Sequence, residues 1–313
     1  MVAECARWGE SKRYTPDTWH EHLDRVRVGM IPERTAVVIQ QLRAAGYLPA
    51  VDAPMFHVNG VAQHGGAIQR TEALALTVPR GTIYCTLDGS DPRRPADPMA
   101  GFEGDLTADL APSAIHYTAP FGLTDSGPVK ARAWADGTWS ALSEALFAVG
   151  PVVESLRVSE IMYHPAETGE PNDAEAEFIE LTNVGTESLS LNLVQFTAGI
   201  EFTFPPLELA PGAYVLVVKD ANVFEARYGA DLPVAGQFTG SLSNSGECLV
   251  LRDAIGRVIL DFAYSDDWYR STDGDGFSLT ATAPELTDPT AWSDPATWAP
   301  SASVGGSPGC GPR

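Results

Sequence analysis

The chain has little cysteine and no long apolar run, and each deficit excludes a class of protein. Four cysteines occur in 313 residues, and no two of them have the CxxC spacing of zinc and redox sites. The longest strongly apolar run is AYVLVV at 213–218, whereas a membrane helix needs about 20 such residues. The sequence therefore argues against zinc-binding, redox and membrane-spanning proteins.

Positive charge is also scarce. The chain has 20 Lys and Arg against 41 Asp and Glu, a net charge of −21, and residues 151–313 alone carry −17. Such a surface repels phosphate backbones, which excludes nucleic acid as a partner. The same charge attracts divalent cations.

Patterns typical of catalysis are missing. There is no Gly-rich phosphate loop, no kinase set of Lys and Asp, and no Ser or Cys partner that the pattern identifies for the six histidines. Glu175 and Glu177 lie close together, but glycosidases hold their two carboxylates on separate elements across a cleft. Two acids on one strand predict a solvated face. We expect no enzymatic activity and no cofactor.

Turn-forming residues are abundant, with 29 Gly and 24 Pro spread along the chain. Together with a hydrophobic content of 44%, they predict many short strands around buried cores. The sequence therefore predicts a mainly β protein with two β-sandwich domains, at 51–150 and 151–313, preceded by a short α-helical segment within residues 1–50.

The helical segment is predicted from apolar residues at helical spacing. Those of the first helix are Trp19, Leu23, Val26 and Met30. Thr15 is placed to cap this helix. A second helix is expected to start at Pro32 and to end at Gly46, because a helix commonly ends at a glycine in the left-handed conformation.

Residues 51–150 change to a period of two. TIYCTL at 82–87 and PVKARAWA at 128–135 alternate apolar and polar residues, and Asp136-Gly137 is a hairpin turn. The polar, Pro-rich stretch at 90–112 predicts a long surface loop.

Residues 151–313 contain short apolar runs that predict strands, namely SLRVSEIMY, AEFIELTNV, EFTFPP, AYVLVVKD, ECLVLRD and RVILDFAY. One helix is predicted among them, because Asp220 is placed to cap ANVFEARY and Gly229 to end it. A second sandwich with a helical crossover fits this pattern.

The four cysteines leave two interpretations open. Cys5, Cys85, Cys248 and Cys310 are either unpaired thiols and small buried residues, or Cys248 and Cys310 form a disulfide that holds the Gly- and Pro-rich tail.

GTIYCTLDGSDPR at 81–93 resembles the signature of the chitobiase/β-hexosaminidase C-terminal domain, whose usual wording is close to G-x-I-Y-Y-T-x-D-G-S-x-P. The chain departs from it at Cys85, where an aromatic residue is common. The resemblance implies an immunoglobulin-like sandwich over residues 51–150.

Residues 156–308 resemble a bacterial lamin tail domain, which is also immunoglobulin-like. The segments that carry this resemblance are VSEIMYHP at 158–165, AEFIELTNVG at 176–185, LAPGAYVLVVKD at 209–220, NSGECLVLRDAIGRVILDFAY at 244–264, DGDGFSL at 273–279 and GGSPG at 305–309.

Residues 1–50, with ARWGESKRYTPDTW and PERTAVVIQQLRAAGYLP, resemble the tail of the CotH (spore-coat protein H) kinase-like domain. The nucleotide- and metal-binding motifs of that family have no counterpart in this chain. The resemblance implies upstream sequence that encodes the rest of the domain and a secretion signal, since MVAECARWGESKRY lacks the apolar region of a signal peptide. We also expect residues 1–50 to be labile to protease.

Two sets of residues are candidates for a binding site. Asp273 and Asp275 lie in the Gly-rich turn STDGDGFS, which suits calcium, although the turn lacks the further acids of an EF-hand and a turn-forming role is the alternative. Tyr84, Trp134 and Trp139 are placed to stack on a sugar ring from an exposed sheet face, and cross-strand packing is the alternative.

The sequence thus favours non-catalytic structural, adhesion or ligand-binding modules of a bacterial cell-surface or secreted protein, with a protein or carbohydrate at the cell surface as partner. Two alternatives remain open. One is the C-terminal fragment of a CotH-like protein kinase, and the other is a calcium-dependent module that binds carbohydrate or protein.

Overall fold

The computed structural model of the protein describes residues 16–94, 101–170 and 172–311. Most described residues lie in β-strands and turns, which confirms the mainly β fold, with two immunoglobulin-like sandwiches and an N-terminal helical segment. Thr15 and Cys5 lie outside the described residues. The described helices are α1 (Pro16–Asp24), a π-helical turn (Arg25–Met30), α2 (Ile31–Ala44), α3 (Leu106–Asp109), α4 (Val152–Ser155) and α5 (Ala221–Tyr228).

The helical segment is one continuous run, so the prediction of a separate helix starting at Pro32 was wrong. Met30 and Ile31 both keep right-handed helical dihedrals, and the Ile31 N–H donates to the Val26 carbonyl in the wider π-helical pattern. Pro32, which has no N–H to donate, is the second residue of α2 and directly follows the end of the π-helical turn. Gly46 ends the run at a φ of 77°, as predicted.

The first sandwich consists of β1 (Met55–Val58), β2 (Val61–Ala62), β3 (Gly66–Ile68), β4 (Ala73–Thr77), β5 (Thr82–Thr86), β6 (Ile115–His116), β7 (Phe121–Gly122), β8 (Gly127–Ala135), β9 (Thr138–Trp139) and β10 (Ser143–Val149). One sheet has the order β2-β1-β4-β7 and the other the order β3-β10-β8-β5-β6, with β9 beside β8. The predicted Asp136-Gly137 turn joins β8 to β9 with positive φ at both residues. Leu87, by contrast, leaves the alternation of β5 and is 45% exposed.

The strands of the second sandwich are β11 (Leu156–Met162), β12 (Phe178–Asn183), β13 (Leu189–Ser190), β14 (Gln195–Ala198), β15 (Ile200–Thr203), β16 (Glu208–Leu209), β17 (Tyr214–Val218), β18 (Val234–Gln237), β19 (Thr239–Gly240), β20 (Glu247–Arg252), β21 (Val258–Tyr264), β22 (Leu279–Ala281) and β23 (Trp298–Pro300). They form a sheet of order β18-β17-β12-β11-β22-β23 that faces a sheet of order β19-β15-β14-β20-β21. All six runs predicted as strands contain one.

The first of these sheets is buried on both faces. Its inner face contributes Ile161, Ile179 and Val217 to the core between the sheets. Its outer face carries a separate cluster in which Phe178 packs against Phe224 of α5. The helix begins at Asp220, whose carboxylate accepts from the N–H groups of Asn222 and Val223, and it ends before Gly229, as the sequence predicts.

The two sandwiches meet without a spacer. Val149 belongs to the core of the first sandwich, and Val152 of α4 already belongs to the core of the second. Around this junction the Asn192 side chain donates to the Ser126 carbonyl at 2.7 Å, and Arg70 pairs with Glu208. The modules are therefore held to each other by polar contacts, and only two residues separate their cores.

The helical segment, unlike the two sandwiches, is largely exposed to solvent. Residues 18–42 are exposed throughout, including apolar side chains such as Val28 at 68% and Ile31 at 57%. In the described part of the chain, no helix has both the length and the apolar character needed to cross a membrane.

We predict that limited trypsin treatment cuts the helical segment, at Arg25, Arg27 or Arg34, well before either sandwich. None of the residues of the π-helical turn or of α2 is buried, so local opening there costs little free energy. Mass spectrometry of the first fragments measures the order of cleavage. First cuts inside the sandwiches, with residues 16–48 intact, would mean that the helical segment is covered in solution.

Candidate functional site

The DGSDPR motif forms a turn whose acids serve the backbone. The Asp88 carboxylate accepts from the Ser90 N–H at 2.9 Å and from the Ser90 hydroxyl at 2.5 Å, and the hydroxyl bond is the main cause of its lowered pKa. The Thr86 hydroxyl donates to the Ser90 carbonyl. Asp88 is thus a turn former.

Asp91 has a second role that the sequence analysis missed. Its two carboxylate oxygens accept from Nε and Nη2 of Arg132 on β8, both at 2.7 Å, and it also accepts from the Arg93 N–H. Burial acts to raise the pKa of Asp91, but the hydrogen bonds and charge of Arg132 outweigh it, so the pKa lies below its ordinary value. The motif therefore locks the turn onto the sheet.

Arg93 fastens the following loop in the same way. It is 7% exposed, and its guanidinium lies 3.3 Å from the Asp109 carboxylate and donates to the carbonyls of Gly101 and Glu103. The described part of residues 90–112 lies at the surface, as predicted, with Gly101 and residues 103–105 exposed, but Arg93 fastens it to the sandwich. A buried guanidinium needs several acceptors, and the loop backbone supplies them.

The three candidate aromatic residues lie together on the outer face of the β5–β8 sheet. Tyr84 and Trp134 are half-buried, and His116 stacks on Tyr84 with ring centroids 5.4 Å apart. Trp139 was predicted to be exposed, but it is fully buried, because the loop crosses it and the Phe102 carbonyl accepts its backbone N–H. The face presents the rings of Tyr84 and Trp134 and the imidazole of His116 beside the Asp91–Arg132 ion pair.

The calcium candidates are exposed, and one of them pairs with a histidine. Asp273 lies 2.8 Å from Nδ1 of His164, and Asp275 is exposed. No group of three or more metal-ligating side chains occurs in the described ranges.

An open acidic cleft of about 620 Å³ lies next to this turn, with His164, Glu167, Asp173 and Asn244 in its wall. Its central carboxylate, Asp173, is already satisfied, because the N–H groups of Thr168, Gly169 and Glu170 donate to it. The Thr168 hydroxyl also donates to Asp173, and this bond is the main cause of the lowered pKa of the carboxyl group. The N–H bonds from Thr168 and Gly169 lower this pKa further.

Glu175 and Glu177 do not lie on an exposed strand, which corrects the predicted solvated face. Glu175 ends a 3-10 turn, and Glu177 is 4% exposed and accepts from Lys219 Nζ at 2.9 Å and from the Leu242 N–H at 2.7 Å. Burial raises the pKa of Glu177, and the bonds from Lys219 act against this rise. The residue ties two loops together.

The disulfide interpretation is also wrong. Cys85, Cys248 and Cys310 are free thiols. Cys248 lies on β20 with its sulfur 3.3 Å from the Asp261 carboxylate, whereas Cys310 lies in the tail that crosses the outer face of the other sheet.

The most unusual polar residues are two that the sequence analysis did not single out. Glu160 of β11 and Glu180 of β12 are directly opposite each other, and each is 1% exposed. Glu160 is followed by the apolar residues of VSEIMY, and Glu180 lies between Ile179 and Leu181 in EFIELT. An acid next to apolar residues inside a predicted strand was the available signal, because burial of a carboxyl group requires specific partners.

The comparisons with known proteins agree with this architecture. Residues 151–266 match the model of the Lamin Tail Domain family, and residues 74–144 match the model of the family described as Fn3 associated. The matches support a chain that contains a lamin tail domain in its second sandwich.

No curated protein matches the chain. Among solved structures, it is similar to the crystal structure of a DUF4876 family protein from Bacteroides thetaiotaomicron VPI-5482, at 14% sequence identity and a TM-score of 0.24. The match covers 59% of this chain and 65% of the length of that one.

We predict that Asp91→Asn destabilises the first sandwich by about 2 kcal/mol, because it removes the charged partner of a half-buried guanidinium. Arg80→Met is the matched control, since the Arg80–Asp136 pair in the same sandwich is exposed (53% and 79%) and such pairs contribute about 0–1 kcal/mol. Urea unfolding followed by tryptophan fluorescence measures both. If the two variants lost equal free energy of unfolding, the Asp91–Arg132 pair would be no more stabilising than an exposed ion pair, and the prediction would be wrong.

Proposed function

We propose that this chain contributes a rigid pair of non-catalytic β-sandwich modules to a bacterial cell-surface or secreted protein, where they act as a spacer and present a surface for adhesion. The observation that carries the proposal is the junction. Only two residues separate Val149 in the first core from Val152 in the second. Relative motion of the modules would therefore break the Asn192–Ser126 and Arg70–Glu208 contacts across this short junction.

The chemistry of the buried acids supports a non-catalytic role. Glu177 binds Lys219, and Asp91 binds Arg132. General acid–base catalysis needs a carboxyl group within reach of a substrate, and these groups are instead used in loop fastening. The resemblance of residues 81–93 to the chitobiase/β-hexosaminidase C-terminal domain fits the same non-catalytic assignment.

The exposed helical segment supports the alternative that residues 1–50 are the tail of a CotH kinase-like domain. Its apolar side chains lie on the surface, with Leu23 45% and Met30 55% exposed. Apolar exposure on this scale is typical of a surface that packs against another domain. In that case the two sandwiches are the accessory part of a longer protein.

The spacer role predicts a single narrow distance between the modules. Spin labels at Cys248 and at Ala73→Cys, both at exposed positions, with Cys5 and Cys310 replaced by Ser, are to be measured by pulsed EPR. A Gly-Ser insertion between Gly150 and Pro151 is the control, and we expect it to broaden the distribution. A wild-type distribution as broad as that of the insertion variant would exclude a rigid spacer.

The adhesion role predicts a ligand on a glycan and protein array probed with the full chain. If the aromatic face binds a sugar, Tyr84→Ala and Trp134→Ala lower the signal, whereas Trp268→Ala, a half-buried tryptophan of the other sandwich, leaves it unchanged. The array is repeated with calcium and with chelator. A signal that needs calcium and is lost on Asp275→Ala would support the calcium-dependent alternative instead.

A further inference from the structure

The last described residues, 303–311, form a strap across the outer face of the β18-β17-β12-β11-β22-β23 sheet of the second sandwich, beside α5. The Gly305 N–H donates to the Gly276 carbonyl at 2.7 Å. A Cβ atom on Gly305 would lie 3.6 Å from the Tyr228 ring, and one on Gly309 would lie 2.7 Å from Leu232. The strap thus covers the part of this face next to the helix.

Beneath the strap lie the two opposed carboxyl groups. Glu160 accepts from the Ser307 N–H at 2.8 Å, from the Ser307 hydroxyl at 3.0 Å, and from the Ser278 hydroxyl at 2.5 Å. Glu180 accepts from the Gly309 N–H at 2.5 Å. Three of these four hydrogen bonds come from the strap, so the strap is held mainly by the carboxyl groups that it covers.

The fit between strap and acids is close. Gly306 has a φ of 78°, and a Cβ atom there would lie 2.1 Å from Oε1 of Glu160. No other residue type fits without displacing the strap or the carboxyl group.

No positive charge compensates the pair within the described ranges, where neither Glu160 nor Glu180 has a salt bridge. The titratable groups that face them are Tyr214 from β17, Tyr228 from α5 and Cys310 from the strap. Burial raises the pKa of Tyr228 to about 12, so this phenol stays neutral near physiological pH. Glu160 and Glu180 are directly opposite each other on neighbouring strands, so their ionised carboxylates repel when no cation lies between them.

We propose that the C-terminal strap is a pH-controlled cover, closed while one carboxyl of the Glu160–Glu180 pair is protonated and released when both are ionised. The protonated group is Glu180. Its Oε1 lies 2.7 Å from the Ser159 hydroxyl, which can accept a hydrogen bond from a protonated carboxyl group as well as donate one to an ionised carboxylate. Glu160, with three donors, holds the charge.

The direction of the pH dependence follows from the pKa values. Burial, with the charge of Glu160 adding to it, raises the pKa of Glu180 from 4.5 to about 8, and burial also raises that of Glu160. A carboxyl group with a raised pKa stabilises the closed form fully below its ordinary pKa. That contribution falls as the pH rises from about 4.5 to about 8 and then stays low.

Hydrogen exchange of the Ser307 and Gly309 amides tests the proposal, with the amides of β20 as the reference. Corrected for intrinsic exchange, the strap protection factor is expected to fall by up to about tenfold per pH unit between pH 6 and 8. The protection of β20 stays constant. In Glu180→Gln the fall is expected to be at least tenfold smaller over this range.

Four further variants make the result decisive. Gly306→Ala displaces the strap and gives the protection of the released form at every pH. Glu201→Gln, an exposed acid on the other sheet, and Cys310→Ser are expected to behave as wild type, and Glu160→Gln serves if Glu180→Gln does not fold. A pH-independent wild-type strap, or an equal fall in Glu180→Gln or in β20, would overturn the proposal.

Discussion

The second sandwich depends on one constraint: its six-stranded sheet is buried on both faces. Every residue of β11 and β12 is buried, so each side chain has to find a partner either in the core between the sheets or under the outer layer. Apolar side chains such as Phe178 are covered by α5, and polar ones such as Glu180 are covered by the strap. The outer layer is therefore required by the sheet itself.

Burial also explains how the first sandwich uses its charges. Arg132 and Arg93 have their guanidinium groups largely removed from water, and each is surrounded by a carboxylate and by backbone carbonyls. A buried guanidinium without such partners would cost several kcal/mol. The motif at 81–93 thus contributes ordered loop structure and no reactive group, which suits a module that carries or presents other parts of a protein.

The buried Asp91–Arg132 pair and the buried Glu160–Glu180 pair differ in how their contributions to stability depend on pH. The Asp91–Arg132 pair combines opposite charges, so its contribution persists over neutral pH and is lost only in acid, as the pH falls through the lowered pKa of Asp91. The Glu160–Glu180 pair combines like charges, so a proton has to be shared for the site to remain closed. The first arrangement thus holds a loop of the first sandwich in place across neutral pH, whereas the second makes the proposed attachment of the strap depend on pH.

The sequence alone determined the strands with clear alternation or apolar runs, the helix from Ala221 to Tyr228 and the two sandwiches, because alternation, capping residues and turn residues act over a few neighbouring positions. Tertiary structure decided the burial of Trp139, the partner of Asp91, the separation of Cys248 from Cys310 and the facing of Glu160 by Glu180. These features join residues far apart in the chain, and a strand pattern does not state which strands pair or in which register. The sandwiches could therefore be predicted from the sequence, whereas the ionic locks and the strap could not.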